Sequence, residues 1–143
     1  MDRAALLAFI RRHPLAVVAS VAATGAPQAA VVGMAVTDQV ELVFDTLGDS
    51  RKARNLRRDG RAAVVIGWDE ETLQLEGPAD EPSGPELERV QRSYFQAFPD
   101  GPSRLSWPGL TYFRIRPTWA RFSDFRSDPP RIVQLAAADL SCG

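Results

Sequence analysis

Seven short runs of strand-forming residues, most of them joined by tight turns, constrain the fold of this chain more than any other feature. In chain order they cover residues 15–22, 28–36, 40–44, 61–67, 72–77, 110–117 and 118–125. Short strands separated by turns rich in Gly, Pro and Asp are typical of antiparallel barrels and sandwiches. The sequence therefore predicts a mainly β, α+β fold in which an antiparallel barrel or sandwich carries peripheral helices.

Several of these runs are apolar on both faces, as in LAVVASVA at 15–22 and RAAVVIG at 61–67. The interior of a barrel covers only one face of each strand. A partner subunit can cover the other face. We therefore expect the outer face of the sheet to lie in a subunit interface.

Three helices are predicted outside the strands. One follows Asp2, one follows Ser50 and ends near Arg58, and one follows Ser83, where SGPE has the pattern of a capping box. The length of 143 residues suits one domain. Within it we expect a barrel core at about 15–125 and a weakly patterned tail at 126–143.

Charge and motifs exclude several classes of function. The formal net charge is −1, so no overall positive field favours nucleic acid or a membrane surface. The longest apolar runs are too short to cross a bilayer and no signal peptide is evident, so we expect a cytoplasmic protein. Glycine-rich nucleotide loops and the G-x-S-x-G pattern of hydrolases are absent.

The chain has a single histidine, His13, and a single cysteine, Cys142. His13 lies at the predicted end of the first helix, where the helix dipole favours a cation. Cys142 has no partner for an intrachain disulfide and is interpreted as an incidental thiol of the tail. Because neither residue can build a catalytic triad or a metal site, we expect no metal, and redox chemistry would need a cofactor.

The stretch DSRKARNLRRDG places two cations, Arg51 and Lys52, in the first turn of a helix capped by Ser50. The positive end of a helix dipole disfavours cations at that place. Unsatisfied N–H groups of the first turn, with the hydroxyls of Ser50 and Thr46, could bind a phosphate that makes the cations favourable. The alternative is a solvated basic helix. A nucleic-acid-binding helix is disfavoured because no aromatic residues lie between the arginines.

The order of these elements resembles the pyridoxamine 5'-phosphate oxidase-like family of FMN-binding split barrels. The pattern T-x-x-x-S-R-K-A, which follows a strand and opens a helix, consists of Thr46, Ser50, Arg51, Lys52 and Ala53. Further similarity lies in AVVASVAATGAPQAAVVGMAV, in TLQLEG after Trp68, and in YFRIRPTWARF, so that the resemblance covers roughly 15–125. It implies an antiparallel split β-barrel of six or seven strands with peripheral helices, a homodimer, and FMN bound near the subunit interface.

The resemblance also implies which residues bind the cofactor. Hydroxyls and cations at the start of the second helix would hold the flavin phosphate, the second strand would run beside the isoalloxazine ring, and one polar residue of TLQLEG would replace a family glutamine. The residues with these expected roles are Thr46, Ser50, Arg51 and Lys52 for the phosphate, Val31, Val32 and Gly33 for the ring, and Thr72 or Gln74 for the glutamine.

Residues that bind the substrate phosphate in the vitamin B6 oxidases are missing from this chain. The family cations that bracket the second strand are replaced by small residues, around Ala30 and Ala35, and the family segment Y-F-x-S-R-P continues here with Gln96 and Ala97. The resemblance therefore implies an FMN-dependent oxidoreductase that exchanges a hydride with a small molecule or a nicotinamide, but not with vitamin B6 phosphates. Two alternatives are a flavin-binding or sensing protein without turnover and a deazaflavin-dependent reductase on the same fold. No catalytic side chain is assigned.

Overall fold

The computed structural model describes residues 1–141, so Cys142 lies outside the described residues. A 3₁₀ helix covers Gly101–Ser106. The α-helices are α1 (Arg3–Arg12), α2 (Arg51–Arg58), α3 (Gly84–Ala97) and α4 (Ala137–Leu140). The strands are β1 (Leu15–Val21), β2 (Pro27–Gly33), β3 (Ala35–Val36), β4 (Leu42–Leu47), β5 (Arg61–Ile66), β6 (Glu71–Asp80), β7 (Leu110–Ile115), β8 (Trp119–Asp124) and β9 (Arg131–Gln134).

All strand pairs within residues 1–141 are antiparallel, as the turn-rich sequence predicts. The strand order is β2-β1-β5-β6-β7-β4-β3, and β8 pairs with β6 on one side and with β9 on the other. The sheet curls around a core without closing into a complete barrel. This arrangement confirms the predicted mainly β split barrel with peripheral helices.

Strand β6 joins the two halves of the sheet because it changes partners along its length. Its first part pairs with β5 and β8, whereas Ala79 and Asp80 at its end pair with β7. Gly77 lies at this change of partner, and a Cβ atom there would collide with the backbone carbonyl of Arg116. Only glycine therefore allows the two backbone segments to approach so closely.

The core lies between the inner faces of the strands, and α1 and α2 cover it. Along β5 the side chains of Ala62, Val64 and Ile66 are buried, and the residues between them point outward. Helix α2 buries Ala53 and Leu56 against this core, as its hydrophobic periodicity predicts. The helix therefore has a fixed position, which also fixes the position of its first turn.

The outer face of the sheet carries the outward-pointing residues of four neighbouring strands. It is mostly apolar, and Val31 and Val65 on it are 61% and 37% exposed. Its residues are Leu15, Val17, Ala19 and Val21 of β1, Pro27, Ala29, Val31 and Gly33 of β2, Arg61, Ala63 and Val65 of β5, and Thr72, Gln74 and Glu76 of β6.

Several predicted strands have different bounds in the structure, and two of the differences have a visible cause. The run 28–36 divides into β2 and β3 because the Met34 amide donates to the Pro14 carbonyl oxygen at 2.8 Å instead of to a neighbouring strand. The run 40–44 begins only at Leu42, since Val40 has a φ of 61° and its amide closes a turn on the Thr37 carbonyl. Turn geometry of this kind leaves no mark in an apolar β-branched run.

Two further predictions need correction. The tail at 126–143 contains β9 and α4, although its sequence is weakly patterned. Ser83 does cap α3, but its side chain accepts no cap hydrogen bond, so the predicted capping box is not formed. Among the helices of residues 1–141, none is long and apolar enough to span a membrane.

Candidate functional site

The first turn of α2 combines a capped helix start with a pair of hydroxyl groups. Ser50 caps the helix, and its Oγ accepts a hydrogen bond of 3.2 Å from the Ala53 amide. Thr46, buried at the end of β4, has its Oγ1 3.0 Å from the same Ser50 Oγ. The two hydroxyls thus lie beside the free N–H groups of the helix, where an anion would accept from both kinds of donor.

Neighbouring acids do not neutralise the cations of this turn. Asp45 points to the opposite side of β4 from Thr46, where its carboxylate accepts from Arg104 Nε at 2.8 Å. Within residues 1–141, Arg51 and Lys52 form no ion pair. The two cations of the first turn therefore have no carboxylate within ion-pair distance among the described residues.

A cavity of about 360 Å³ lies next to these two cations, at the edge of the sheet formed by β2. The side chains on its other walls are mostly small, and they come from β1 and β2. Its lining consists of Val18, Ser20, Pro27, Gln28, Ala29, Ala30, Arg51 and Lys52. A concave site with two cations, a helix N-terminus and small neighbours has the donors and the space that a phosphate monoester requires.

The other cations of the basic stretch have structural roles. Arg57 forms a bidentate pair with Glu81, with N–O distances of 3.0 and 2.6 Å. Arg58 donates to the Val21 carbonyl at 2.6 Å and so ties α2 to β1. Arg54 is exposed and has no ion-pair partner among residues 1–141, as expected for a solvated charge.

The residues expected beside a flavin ring divide between the two faces of the sheet. Val31 and Gly33 lie on the outer face, whereas Val32 is 7% exposed and belongs to the core. The side chain of Val32 therefore cannot contact a ligand on the outer face, although its backbone runs along β2. Gly33 has a packing role as well, since a Cβ atom there would lie 2.9 Å from the Phe98 ring.

Thr72 and Gln74 also lie on the outer face, but far from Val31. Register places Gln74 opposite Val65, Val65 opposite Val17, and Val17 opposite Val31. Three strand spacings separate the ends of this row, which corresponds to about 14 Å. One chain therefore brings together the phosphate residues, but it does not bring Thr72 or Gln74 to the same place as Val31.

The pyridoxamine 5'-phosphate oxidase family model matches residues 3–124, which include the first turn of α2 and the whole outer face. The chain belongs to this family. A search of curated proteins finds no match. The family assignment therefore depends on the family model and on the fold, and it confirms the resemblance seen in the sequence.

Solved structures with the same fold include proteins that bind different cofactors. A pyridoxamine 5'-phosphate oxidase-related, FMN-binding protein from Nostoc punctiforme is 16% identical, with a TM-score of 0.71 and coverage of 92% of this chain and 86% of that one. A heme-binding protein from Mycobacterium smegmatis is 18% identical, with a TM-score of 0.76. The match covers 94% of this chain and 59% of that one. The conserved hypothetical protein Rv2991 from Mycobacterium tuberculosis is 23% identical, with a TM-score of 0.75 and coverage of 95% and 92%.

Two of the residues expected in place of the substrate cations of the vitamin B6 oxidases, Ala35 and Gln96, line a second cavity. This cavity, of about 360 Å³, lies between α1, β3 and α3. Arg11 also reaches it, which the sequence did not indicate, but its guanidinium donates to Asp38 at 2.8 Å and to the Val36 carbonyl. The one cation at this cavity is thus already paired, and no second cation lines it among residues 1–141.

His13 has a structural role at the end of α1. It is the C-cap residue, its Nδ1 lies 2.8 Å from the Phe9 carbonyl oxygen, and the two rings are 4.3 Å apart. Residues 1–141 contain no group of three His, Cys, Asp or Glu side chains arranged to hold a metal ion.

A buried ion cluster lies away from the candidate site and was missed in the sequence. Glu41 accepts from Arg89 at 2.7 and 2.8 Å, from Arg114 at 3.2 Å and from Thr37 at 2.8 Å. Burial raises the pKa of the Glu41 carboxyl, but the hydrogen bonds from Arg89 and Thr37 outweigh it and hold this pKa below its usual value. The sequence does contain a signal for this cluster, because Glu41 lies inside the apolar run VELVF and Arg114 inside the apolar run LTYFRI.

Proposed function

We propose that this protein binds FMN through the first turn of α2 and uses it in an oxidoreductase reaction on a substrate other than a vitamin B6 phosphate. The observation that carries the proposal is the pair of cations, Arg51 and Lys52, that face a cavity at a helix N-terminus without a carboxylate partner. Membership of the pyridoxamine 5'-phosphate oxidase family supports it.

Each part of the site has a separate role in this proposal. Arg51 and Lys52 would neutralise the phosphate, while the Ser50 and Thr46 hydroxyls and the helix N–H groups donate hydrogen bonds to it. Val31 would offer an apolar surface to the ring along β2, beside the Phe98 ring that packs on Gly33. Bound FMN would supply the redox chemistry, and the protein would supply position and electrostatics.

Heme is the second candidate, because two proteins of the same fold bind or store it. Heme iron takes an axial ligand such as His, Cys, Met or Tyr. The one imidazole of the chain belongs to His13, whose Nδ1 is bonded to the Phe9 carbonyl and whose ring packs on Phe9. FMN is favoured, since its phosphate would use two cations, Arg51 and Lys52, that have no carboxylate partner within residues 1–141.

Titration of the purified protein with FMN, a deazaflavin cofactor and hemin separates these candidates. We expect FMN to bind with a dissociation constant in the micromolar range or below, with quenched fluorescence and a shifted flavin spectrum. If FMN does not bind while hemin or the deazaflavin binds tightly, FMN is not the cofactor and the ligand that binds takes its place in the proposal. Bound FMN that no reductant or nicotinamide can reduce would favour the flavin-binding protein without turnover.

We further propose that the protein is a homodimer whose interface includes the outer face. The exposed apolar residues of that face need cover, and a second copy could bring Thr72 or Gln74 to a flavin held at β2 of the first copy. Obligate interfaces bury on the order of 2,000 Å² or more.

Light scattering should report twice the 15.7 kDa of one chain. Val65→Glu places a charge on the outer face and should give monomers, because burying an unpaired carboxylate is strongly unfavourable. Leu105→Glu is the matched control, since Leu105 is 51% exposed in the 3₁₀ helix, and it should remain dimeric. A stable monomer that binds FMN would contradict the proposed interface.

Oxidation of pyridoxine 5'-phosphate should be absent or very weak. A phosphate substrate loses its strongest contacts where charged partners are missing, as around Ala35 and Gln96. The check is oxygen consumption by the FMN-loaded protein with saturating pyridoxine 5'-phosphate. Turnover at a rate typical of enzymes, about 1 s⁻¹ or more, would show that this cavity takes the phosphate after all.

A further inference from the structure

A polar chain of side chains runs beneath the phosphate cavity and ends at Arg51. It begins with Asn55, which is 5% exposed on the inward side of α2. The Asn55 amide nitrogen donates to Ser20 Oγ on β1 at 3.1 Å. Ser20 is itself 5% exposed, so both groups are removed from water and need each other as partners.

Gln28 continues this chain from Asn55 to Arg51. Its side-chain amide lies 2.6 Å from the Asn55 amide nitrogen, and it also contacts the guanidinium of Arg51. A guanidinium has only donors, so the amide orientation that satisfies Arg51 is the one that turns the Gln28 oxygen toward it. Asn55 can turn its own amide in response, because the Ser20 hydroxyl both donates and accepts. This turn gives up the 3.2 Å hydrogen bond from Arg58 to Asn55 Oδ1, and Arg58 keeps its bond to the Val21 carbonyl.

We propose that Gln28, held in place by Asn55, is the positioning residue that directs Arg51 into the phosphate cavity. This inference rests on the proposed function, because it assigns a role within the same FMN site. A free arginine side chain loses considerable rotamer entropy when it is fixed on a ligand. Arg51 lines the cavity and already lies against Gln28. It has therefore lost part of that freedom before the phosphate binds.

A purely structural role for Gln28 is the alternative. Helix α2 is tied to the sheet without Gln28, through the Asn55–Ser20 hydrogen bond and through the bond from Arg58 to the Val21 carbonyl. Removal of the Gln28 side chain should therefore leave the helix in place. Its effect should appear in phosphate binding and not in binding of the flavin ring.

The experiment is a double-mutant cycle with Gln28→Ala, Arg51→Ala and the double variant, each titrated with FMN and with riboflavin. Gln28→Ala should weaken FMN binding about fivefold, the equivalent of one net hydrogen bond, and leave riboflavin binding unchanged. In the Arg51→Ala background the same change should have no further effect, because Gln28 acts through Arg51. Equal losses in both backgrounds, or equal losses for both flavins, would overturn the inference.

A second variant, Gln28→Glu, provides an independent measurement. A carboxylate against the guanidinium would neutralise Arg51 and repel the phosphate, so FMN binding should weaken by about tenfold or more while riboflavin binding persists. Unchanged FMN affinity in this variant would also overturn the inference. If the wild-type protein binds FMN but the cycle shows no coupling between Gln28 and Arg51, this inference alone is refuted. If the wild-type protein does not bind FMN, the proposed function is refuted with it.

Discussion

Replacement of Lys52 by alanine is expected to weaken FMN binding by about 10- to 150-fold. The change removes a charge-assisted hydrogen bond to the phosphate, which contributes roughly 1.5–3 kcal/mol. Lys52 lines the cavity beside Arg51. It forms no ion pair within residues 1–141, so no carboxylate competes with the phosphate for its ammonium group. The measurement is a fluorescence titration of wild type and variant with FMN and with riboflavin, which has the same ring without a phosphate.

Two controls make the Lys52 result specific. Riboflavin affinity should change by less than about twofold, because the lost contact involves only the phosphate. Arg54→Ala removes a positive charge from the same helix at an exposed position outside the cavity, and it should leave FMN affinity within about threefold. Empty Lys52→Ala protein should be slightly more stable than wild type, since a cation leaves the positive end of the helix. Equal losses for FMN and riboflavin would mean that Lys52 does not meet the phosphate.

Replacement of Glu41 by glutamine is expected to lower the free energy of unfolding by about 3 kcal/mol. The Glu41 and Arg114 side chains are each 5% exposed, so the variant leaves a buried guanidinium with less charge compensation. Arg114 still pairs with Asp80 and Arg89 with Glu86, which places the expected cost at the lower end for a broken buried pair. Urea unfolding at neutral pH measures it.

The pH dependence of stability gives the sign of the Glu41 effect. Because the pKa of Glu41 is lowered in the folded protein, its contribution is fully present above the ordinary value of 4.5 and is lost as the pH falls through the folded pKa. The difference between wild type and Glu41→Gln should therefore shrink as the pH falls below this ordinary value and through the lower pKa of the folded protein. Asp38→Asn removes an exposed pair, with Asp38 91% exposed, and should cost less than about 1 kcal/mol. A Glu41→Gln cost as small as that of Asp38→Asn would show that the cluster does not stabilise the fold.

Features encoded by neighbouring residues could be predicted from the sequence. Helix α2 begins after Ser50 and ends at Arg58, as its cap residue and periodicity indicate. Arg51 and Lys52 of its first turn line a cavity, and their expected role at a phosphate stays a prediction. These features depend on contacts within one turn, so the local sequence contains the necessary information.

Features that depend on distant partners could not be predicted in this way. Strand β9 exists because its residues pair with the edge of β8, and its own sequence, RIVQ, is mostly exposed and carries no clear alternation. The partners Glu41 and Arg114 are 73 positions apart, and Gln28 meets Asn55 across 27 positions. A single sequence contains such charges and amides but does not show which of them meet in space.

The placement of Thr72 and Gln74 illustrates a limit of a different kind. Strand alternation correctly puts both residues on one face of β6. Only the register of β1, β2, β5 and β6 shows that this place is remote from Val31 within one chain. The second copy that could supply the missing contact is not encoded in any local pattern, so these two residues and Val32 stay predictions about the cofactor site.

The most direct test of a flavin phosphate at the start of α2 is the ratio of riboflavin to FMN dissociation constants for the wild-type protein. With Arg51, Lys52 and the helix N-terminus all acting on the phosphate, FMN should bind at least about 100-fold more tightly than riboflavin. The ratio should fall as salt is raised from low to moderate ionic strength, because the contacts at this open cavity are screened. Equal affinity for the two flavins, independent of salt, would contradict the assignment of this site.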